Sequence, residues 1–351
     1  MIKFGSGSKK IKIGLVGCGT VGRGLVALLD EKRTLLKEEY GFDFELCLVC
    51  DFARGTLASV GGLDLGAMLV CLNETGDLRA MPGVTLGPIP LEDLLRETPV
   101  DILCEATPTN YETGQPSRGI LRAALAHGVH AVTCSKGGVG TDLEGLKELA
   151  RENGVKLRFE SSVLSGTPLI SLVRSNLSGC SIERVQGVVN GTTNYILSRM
   201  EEGMDYGSAL QKAQELGYAE TDPTGDVEAF DSAVKVCIMA REFFRTPMKM
   251  ADVERTGITK ITPKEAAEAR ADGKRIKLIA GVERKDGKVT GYAAPRAIPE
   301  THPLASVRDA LNAVCITTDN LGDVMIVGPG AGARETAQGL LSDMLEIASG
   351  G

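Results

Sequence analysis

The sequence predicts an α/β protein: an N-terminal doubly wound parallel sheet, then a second domain of mixed α+β type. Three observations carry that expectation. From residue 10 to about 160, apolar runs of strand length alternate with stretches of helical periodicity, the pattern of repeated strand–helix units. The glycine-rich run "GLVGCGTVGRG" sits where the first strand gives way to the first helix. Beyond 160 the alternation stops, and "KRIKLIAGVE" and "KVTGYAAPRAI" are joined by "RKDGK", whose Asp-Gly predicts a hairpin. A chain of 351 residues suits two domains at roughly 150 residues each.

In chain order, residues 10–16 read as a buried strand, and from Thr20 the residues Val21, Leu25, Leu28 and Leu29 recur at helical spacing. Strands follow at about 44–50, 100–105 and 130–134, with helices at 117–127 and 142–153 and a further strand in "KLRFES". The second domain opens with the strand "ERVQGVVNG" and continues with helix-rich sequence from 192 to 246, including one helix from about Pro223 to Phe244. A helical stretch at 263–272 precedes the hairpin. The closing "IVGPGAGARETAQGLLSDML" again has the form strand, glycine loop, helix, and its helix is expected to return to the first domain. The expected boundaries are 1–158, completed by 316–351, for a nucleotide-binding domain, and 159–315 for a substrate and dimerisation domain.

Composition narrows the function classes. The apolar and charged fractions, 43% and 24%, are those of an ordinary globular protein. A net charge of −7 argues against a nucleic-acid partner. Nine cysteines, scattered and odd in number, suit a reducing cytoplasm better than a disulfide framework. Cys47-x-x-Cys50 lies in a strand, where residues three apart point to opposite faces, so core packing is expected there, not zinc. No apolar run approaches the roughly 20 residues of a membrane span, and "MIKFGSGSKK" has no signal-peptide pattern.

Gly17-x-Gly19-x-x-Gly22 between strand and helix predicts dinucleotide binding: a tight turn, a close backbone approach to pyrophosphate, and close helix packing. The helix N-terminus then offers free N–H groups to the phosphates. Asp51 ends the second strand, 29 residues after Gly22, where a carboxylate accepts from the ribose of NAD. Arg54 is placed to meet the 2′-phosphate of NADP instead, so both cofactors stay open. Lys136, in "VTCSKGG", follows a strand of the same sheet, at the end where ligands bind in open parallel sheets.

The stretch "LGYAETDPTGDVEAFDSAVK" places five carboxylates between Glu220 and Asp231 and then Lys235. On a helix, Asp231 and Lys235 are i,i+4 neighbours beside an apolar stripe of Phe230, Val234, Cys237 and Ile238, with Glu228 close by. As a surface ion pair they contribute about 0.3–0.5 kcal/mol. Partly buried, the pair is a means of tuning a lysine for proton transfer. With only three histidines in the chain, lysine is the better acid/base candidate.

Several segments together resemble homoserine dehydrogenase: "GLVGCGTVGRG", "CEATPTNYETGQP", "AVTCSKGG", "FESSVLSGTPLI", "GVVNGTTNYIL", "LGYAETDPTGDVEAFDSAVK" and "GPGAGARETA". They run from residue 11 to about 345 in the family's order. The resemblance implies an N-terminal Rossmann-type sheet and NAD(P)-dependent hydride transfer between L-homoserine and L-aspartate 4-semialdehyde. It implies Lys235 as general acid/base, Lys136 at the same oxygen, and Asp231 positioning Lys235. Substrate would be held by Glu220, Asp226 and Asp231, with Gly191, Thr192 and Tyr218 lining the pocket. Cofactor contacts are implied at Gly17, Gly19, Thr20, Val21, Gly22, Thr107, Pro108, Ser135, Lys136, Gly217 and the loop from Gly330 to Gly332, besides Asp51 and Arg54. Ser135 stands where the family commonly has Asn. A structural sodium ion is implied at Glu160, Val163, Ser165 and Thr167, mostly through backbone carbonyls, and a homodimer formed through the second domain. Longer family members carry a regulatory domain, so no strong inhibition by threonine is expected here; saturable inhibition not competitive with substrate would refute that. Two other readings remain: a related amino-acid dehydrogenase, and a nucleotide-binding regulator without chemistry. Each explains the glycine loop but not the constellation from Glu220 to Lys235.

Overall fold

A computed structural model describes residues 8–350, with 86 and 88 excepted. Most of the stretch tested for a signal peptide therefore lies outside the described residues. The chain divides into two compact units, Met1–Gly166 with Gly332–Gly351, and Thr167–Ala331.

The first unit begins β1 (Lys9–Val16), α1 (Thr20–Glu31), α2 (Arg33–Glu38), β2 (Phe42–Asp51), β3 (Gly55–Ala58), α3 (Leu65–Thr75) and α4 (Leu91–Glu97). It continues with β4 (Ile102–Glu105), α5 (Ser117–Ala126), β5 (His130–Thr133), α6 (Lys136–Glu152), β6 (Leu157–Arg158) and α7 (Ser161–Leu164). The sheet order is β3-β2-β1-β4-β5-β6, parallel except for the antiparallel edge strand β3. Its central strands are buried on both faces and therefore read as continuous apolar runs. Ile13, Leu15, Leu46 and Ile102 of the sheet pack with Leu25 and Leu28 of α1 in one core.

Sequence periodicity misses α3. Its buried residues Leu65, Met68 and Leu72 share a face, but Val70 is 55% exposed on another, so apolar residues surround the helix and blur its period. Asp64 caps the start, accepting from Ala67 N at 3.0 Å. The helix expected at 142–153 starts earlier, at Lys136, with a non-helical Asp142 inside it; glycines 137, 138 and 140 hide its first turns. The strand expected in "KLRFES" shortens to two residues before α7.

The second unit contains β7 (Ile182–Val188), α8 (Gly191–Glu201), α9 (Tyr206–Glu215), α10 (Thr224–Val227) and α11 (Phe230–Phe243). It then adds β8 (Val253–Arg255), α12 (Pro263–Ala271), β9 (Lys274–Lys285), β10 (Lys288–Pro299), β11 (Leu311–Thr318) and β12 (Gly322–Pro329). The strand order is β12-β11-β7-β9-β10-β8, antiparallel apart from the β10–β8 pair. Asp286 and Gly287 turn the β9–β10 hairpin with φ of +50° and +75°, the two left-handed positions of a tight turn. Thr262 and Glu265 form a capping box at α12, with Pro263 in its first turn.

The single helix expected from Pro223 to Phe244 is interrupted. Ala229 adopts a left-handed conformation, φ 60° and ψ 26°, and separates α10 from α11. Nor is α11 a one-sided stripe, because Asp231 through Ala240 are all buried. After β12 the chain rejoins the first unit as α13 (Ala333–Ala348), and Ala337, Leu340, Leu341 and Met344 complete that unit's core. Arg334 adds a two-pronged ion pair to Glu31 at 2.7 and 2.8 Å. Residues 316–331, expected with the first domain, instead fall in the second unit, because β11 pairs with β7 and β12 with β11. No helix among the described residues is long and apolar enough to cross a membrane.

Candidate active site

In the first unit, the expected cofactor residues other than Gly332 lie at the carboxyl ends of β1, β2, β4 and β5. Gly17 has φ +93°, and a Cβ there would lie 2.5 Å from Ala106 O. A Cβ on Gly19 would meet nothing within 4 Å, whereas one on Gly22 would strike Gly17 O at 2.2 Å. The three glycines thus serve the turn, the open approach and the close packing in that order. Gly19 is the N-cap of α1, with no side-chain cap and no acidic residue in the first turn, where Thr20, Val21 and Gly22 lie. The uncapped N–H groups and the helix dipole suit an anionic pyrophosphate.

Asp51 is buried and ties the loop together. Its Oδ2 accepts from Cys18 N at 2.7 Å, and its Oδ1 from Ala53 N and Arg54 N, both at 3.0 Å. The Arg54 guanidinium folds back onto Asp51 at 3.3 Å and donates to Gly76 O at 3.1 Å. The expected ribose acceptor and phosphate partner are therefore paired with each other.

Thr107 and Pro108 follow β4, and Ser135 and Lys136 follow β5. Ser135 caps α6, its Oγ accepting from Gly137 N at 3.4 Å, and Lys136 is the first helical residue. Lys136 N donates to Thr109 Oγ1 at 3.3 Å. Beneath both loops lies Glu105, fully buried and overlooked by sequence reasoning. It accepts from Thr107 N at 2.7 Å, Ser117 Oγ at 2.6 Å, Thr133 Oγ1 at 2.5 Å and, closer still, Thr107 Oγ1. Burial pushes its carboxyl above the ordinary range, and the four donors oppose that shift.

In the second unit, Lys235 is 4% and Asp231 6% exposed. Lys235 Nζ contacts Asp231 Oδ2 at 2.8 Å and donates to Val189 O at 2.5 Å. This is a buried, oriented amine, not the solvated pair that the i,i+4 spacing alone permits. Asn190, also missed from sequence, organises the carboxylates: its Nδ2 donates to Asp226 Oδ1 at 2.6 Å and Asp231 Oδ2 at 3.0 Å. Its Oδ1 caps α8 by accepting from Thr193 N at 2.9 Å. An Asn-Gly pair before a helix predicts such a cap, and that was the available clue. Burial and then the neighbouring Asp231 raise the pKa of Asp226, against the Asn190 bond and the charge of Lys235.

Gly191 opens α8, and Thr192 Oγ1 donates to Tyr218 O at 2.5 Å. Tyr218 packs on Tyr195 with ring centroids 5.1 Å apart. Gly217, φ +75°, follows α9. Glu220 is exposed on the same loop, where Gln214 Nε2 donates to its carbonyl at 3.0 Å, and Glu228 instead accepts from Thr259 Oγ1 at 2.8 Å.

Glu160 N donates to Asp343 Oδ2 at 2.8 Å. Val163 is in α7, and Ser165, φ +55°, ends that helix with its Oγ 2.9 Å from Thr336 Oγ1. Thr167, in the second unit, donates to Pro329 O at 3.0 Å. Gly332 is the N-cap of α13, and Gly330 closes on Asn312, whose amide would lie 1.9 Å from a Cβ there. Among the described residues no group of three His, Cys, Asp or Glu side chains is placed to hold a metal, and Cys47 and Cys50 are both free.

Comparison with known proteins agrees with both units. Residues 17–160 match the family model "Homoserine dehydrogenase, NAD binding domain", and residues 168–345 match "Homoserine dehydrogenase". The chain is 40% identical over 337 residues to an NAD(+)-dependent homoserine dehydrogenase of Pseudomonas canavaninivorans, covering 96% of each. It is 37% identical over 335 residues to a homoserine dehydrogenase of Methanocaldococcus jannaschii, covering 95% of this chain and 97% of the relative. Among solved structures it resembles a hyperthermophilic archaeal homoserine dehydrogenase mutant in complex with NADPH. There the TM-score is 0.84, at 30% identity and with 98% and 99% of the two chains covered. A glycine loop suited to pyrophosphate, a buried lysine among carboxylates and matches along nearly the whole chain point the same way: this chain belongs to the homoserine dehydrogenase family.

Proposed function

We propose that the chain interconverts L-homoserine and L-aspartate 4-semialdehyde with NAD or NADP. The observation that carries the site assignment is the buried network of Lys235, Asp231, Asn190 and Asp226. It holds one amine among oriented carboxylates, in the geometry a proton-transfer lysine requires. When bound, the nicotinamide takes or gives the hydride at C4 of the substrate.

In the oxidation direction Lys235 Nζ, in its neutral form, removes the proton of the C4 hydroxyl as hydride leaves that carbon. In reduction the ammonium returns the proton to the oxygen of the aldehyde. Asp231 orients the amine, and Lys136 polarises the same oxygen. Glu220 holds the substrate's ammonium, Asp226 helps to position the substrate, and Gly191, Thr192 and Tyr218 line its pocket. On the cofactor, Gly17 to Gly22, Thr107, Pro108, Ser135, Gly217 and Gly332 make the contacts.

We read NAD as the better substrate of the two. The buried charge of Asp51 disfavours a 2′-phosphate, and Arg54 is already engaged with Asp51 and Gly76. The match to an NAD(+)-dependent relative supports this reading. A sodium ion at Glu160, Val163, Ser165 and Thr167 belongs to the same reading: the turn of positive φ at Ser165 ends α7, and backbone carbonyls at a helix end are the kind of ligand a hard cation takes. A homodimer in the cytoplasm completes the reading, the free cysteines suiting a reducing compartment; molar mass in solution tests the dimer.

The decisive assay is initial-rate formation of reduced nicotinamide from L-homoserine at mildly alkaline pH, with NAD and NADP in parallel. Lys235→Ala is expected to lose about 100-fold or more, the scale of a general acid/base. Folded wild-type protein that turns over with neither cofactor would overturn the assignment.

A further inference from the structure

Glu105 is the most completely enclosed carboxylate of the first unit and is none of the expected site residues. It is 0% exposed, and no Lys, Arg or His is among its bonded partners. Both of its oxygens are filled: Oε1 by the two donors of Thr107, Oε2 by Ser117 and Thr133. A carboxylate taking four donors is a strong acceptor whose cost of burial is met only while every donor stays in place. The arrangement therefore fixes the donors as much as the donors fix Glu105.

Two of the three donor residues lead to the cofactor loops. Thr107 is itself in the loop after β4. Thr133 Oγ1, while donating to Glu105, accepts from Ser135 N at 2.9 Å, so it sets the turn from which α6 and Lys136 begin. The loops also meet directly, through Thr109 Oγ1, which lies 3.4 Å from Ser135 Oγ and accepts from Lys136 N at 3.3 Å. The third donor residue, Ser117, opens α5, which carries no expected site residue, and meets α6 only by packing, its Oγ lying 3.1 Å from where a Cβ on Gly138 would stand.

We infer that Glu105 is a positioning residue for the reaction: through Thr107 and Thr133 it locks the β4 and β5 loops in one register and thereby aims Lys136. The inference rests on the role proposed for Lys136. It predicts an asymmetry that a purely structural carboxylate lacks. Thr133→Val and Ser117→Ala each remove one donor from Glu105 and leave its charge buried, so each is expected to lower the melting temperature to a similar extent. Only Thr133→Val breaks the path to Lys136.

The test measures kcat and KM for L-homoserine, and melting temperature, in Thr133→Val, Thr133→Ser, Ser117→Ala and Lys136→Ala. Thr133→Val is expected to lose about tenfold or more in kcat, the scale of a small misplacement of a catalytic group, with KM within about threefold. Thr133→Ser restores the hydroxyl and the rate, and Ser117→Ala keeps the wild-type rate. Equal kcat in Thr133→Val and Ser117→Ala, with Lys136→Ala impaired, overturns the inference while leaving the role of Lys136 standing. A wild-type rate in Lys136→Ala removes that role and the inference with it. Should Thr133→Val not fold, Glu105→Gln, of the same shape, carries the same comparison against Ser117→Ala.

Discussion

Asp226 shows at the scale of one residue how burial sets chemistry. Its carboxyl is shifted up by desolvation first and by Asp231 second, so it takes a proton at a higher pH than an unperturbed aspartate near 3.9. In the substrate-positioning role proposed for Asp226, only its ionised form favours a substrate that carries an ammonium group. Homoserine binding, measured by calorimetry with cofactor present, is therefore expected to weaken as pH falls, with a midpoint above that value. Asp226→Asn is expected to remove the inflection; a variant that keeps it would place the titration elsewhere. The run that supplies the buried cluster of Asp226, Asp231 and Lys235 was legible in sequence, because five carboxylates before a lysine are unusual. Asn190 and Glu105 were not. An asparagine before a helix is explained by capping alone, and a lone glutamate at a strand end gives no hint of four donors that meet it only after β4, β5 and α5 have packed.

Elements were legible where one period ran unbroken, and lost where a single residue broke it. The interruption at Ala229 is the clearest case. Nothing in "DVEAFDSAVK" marks a left-handed alanine, since the preference for αL belongs to glycine and asparagine. On an unbroken helix residues five apart lie about 140° apart, so the break between α10 and α11 lets Asp226 and Asp231 meet one Asn190 side chain. Left-handed geometry costs a non-glycine residue about 1–2 kcal/mol, while the buried methyl contributes about 0.8 kcal/mol. Ala229→Gly is thus expected to be neutral or to stabilise by up to about 1 kcal/mol, read from the denaturation midpoint. Clear destabilisation would show that the methyl's packing outweighs the strain. The long hairpin of β9 and β10, by contrast, was readable because Asp-Gly leaves little freedom of turn type.

For the whole molecule, the two-unit division was visible in the change from alternating strands and helices to a mixed pattern, but its second boundary was not. The terminal strand, glycine loop and helix read as one piece, whereas pairing with β11 takes the strand and burial against α1 takes the helix. Leu340 is 0% exposed in that helix, so Leu340→Ala is expected to cost about 2–5 kcal/mol in the unfolding of the first unit. An equilibrium melt that does not move would mean that α13 is dispensable there. This discontinuity has a consequence during synthesis. Chains commonly acquire structure from the N-terminus as they emerge from the ribosome, but here the N-terminal core lacks Ala337, Leu340, Leu341 and Met344 until the whole of Thr167–Ala331 has been translated. Thr167–Ala331 is contiguous, so it is free to reach protease resistance first. In nascent chains stalled once residue 331 has cleared the exit tunnel, the expected order of resistance is the reverse of the order of translation.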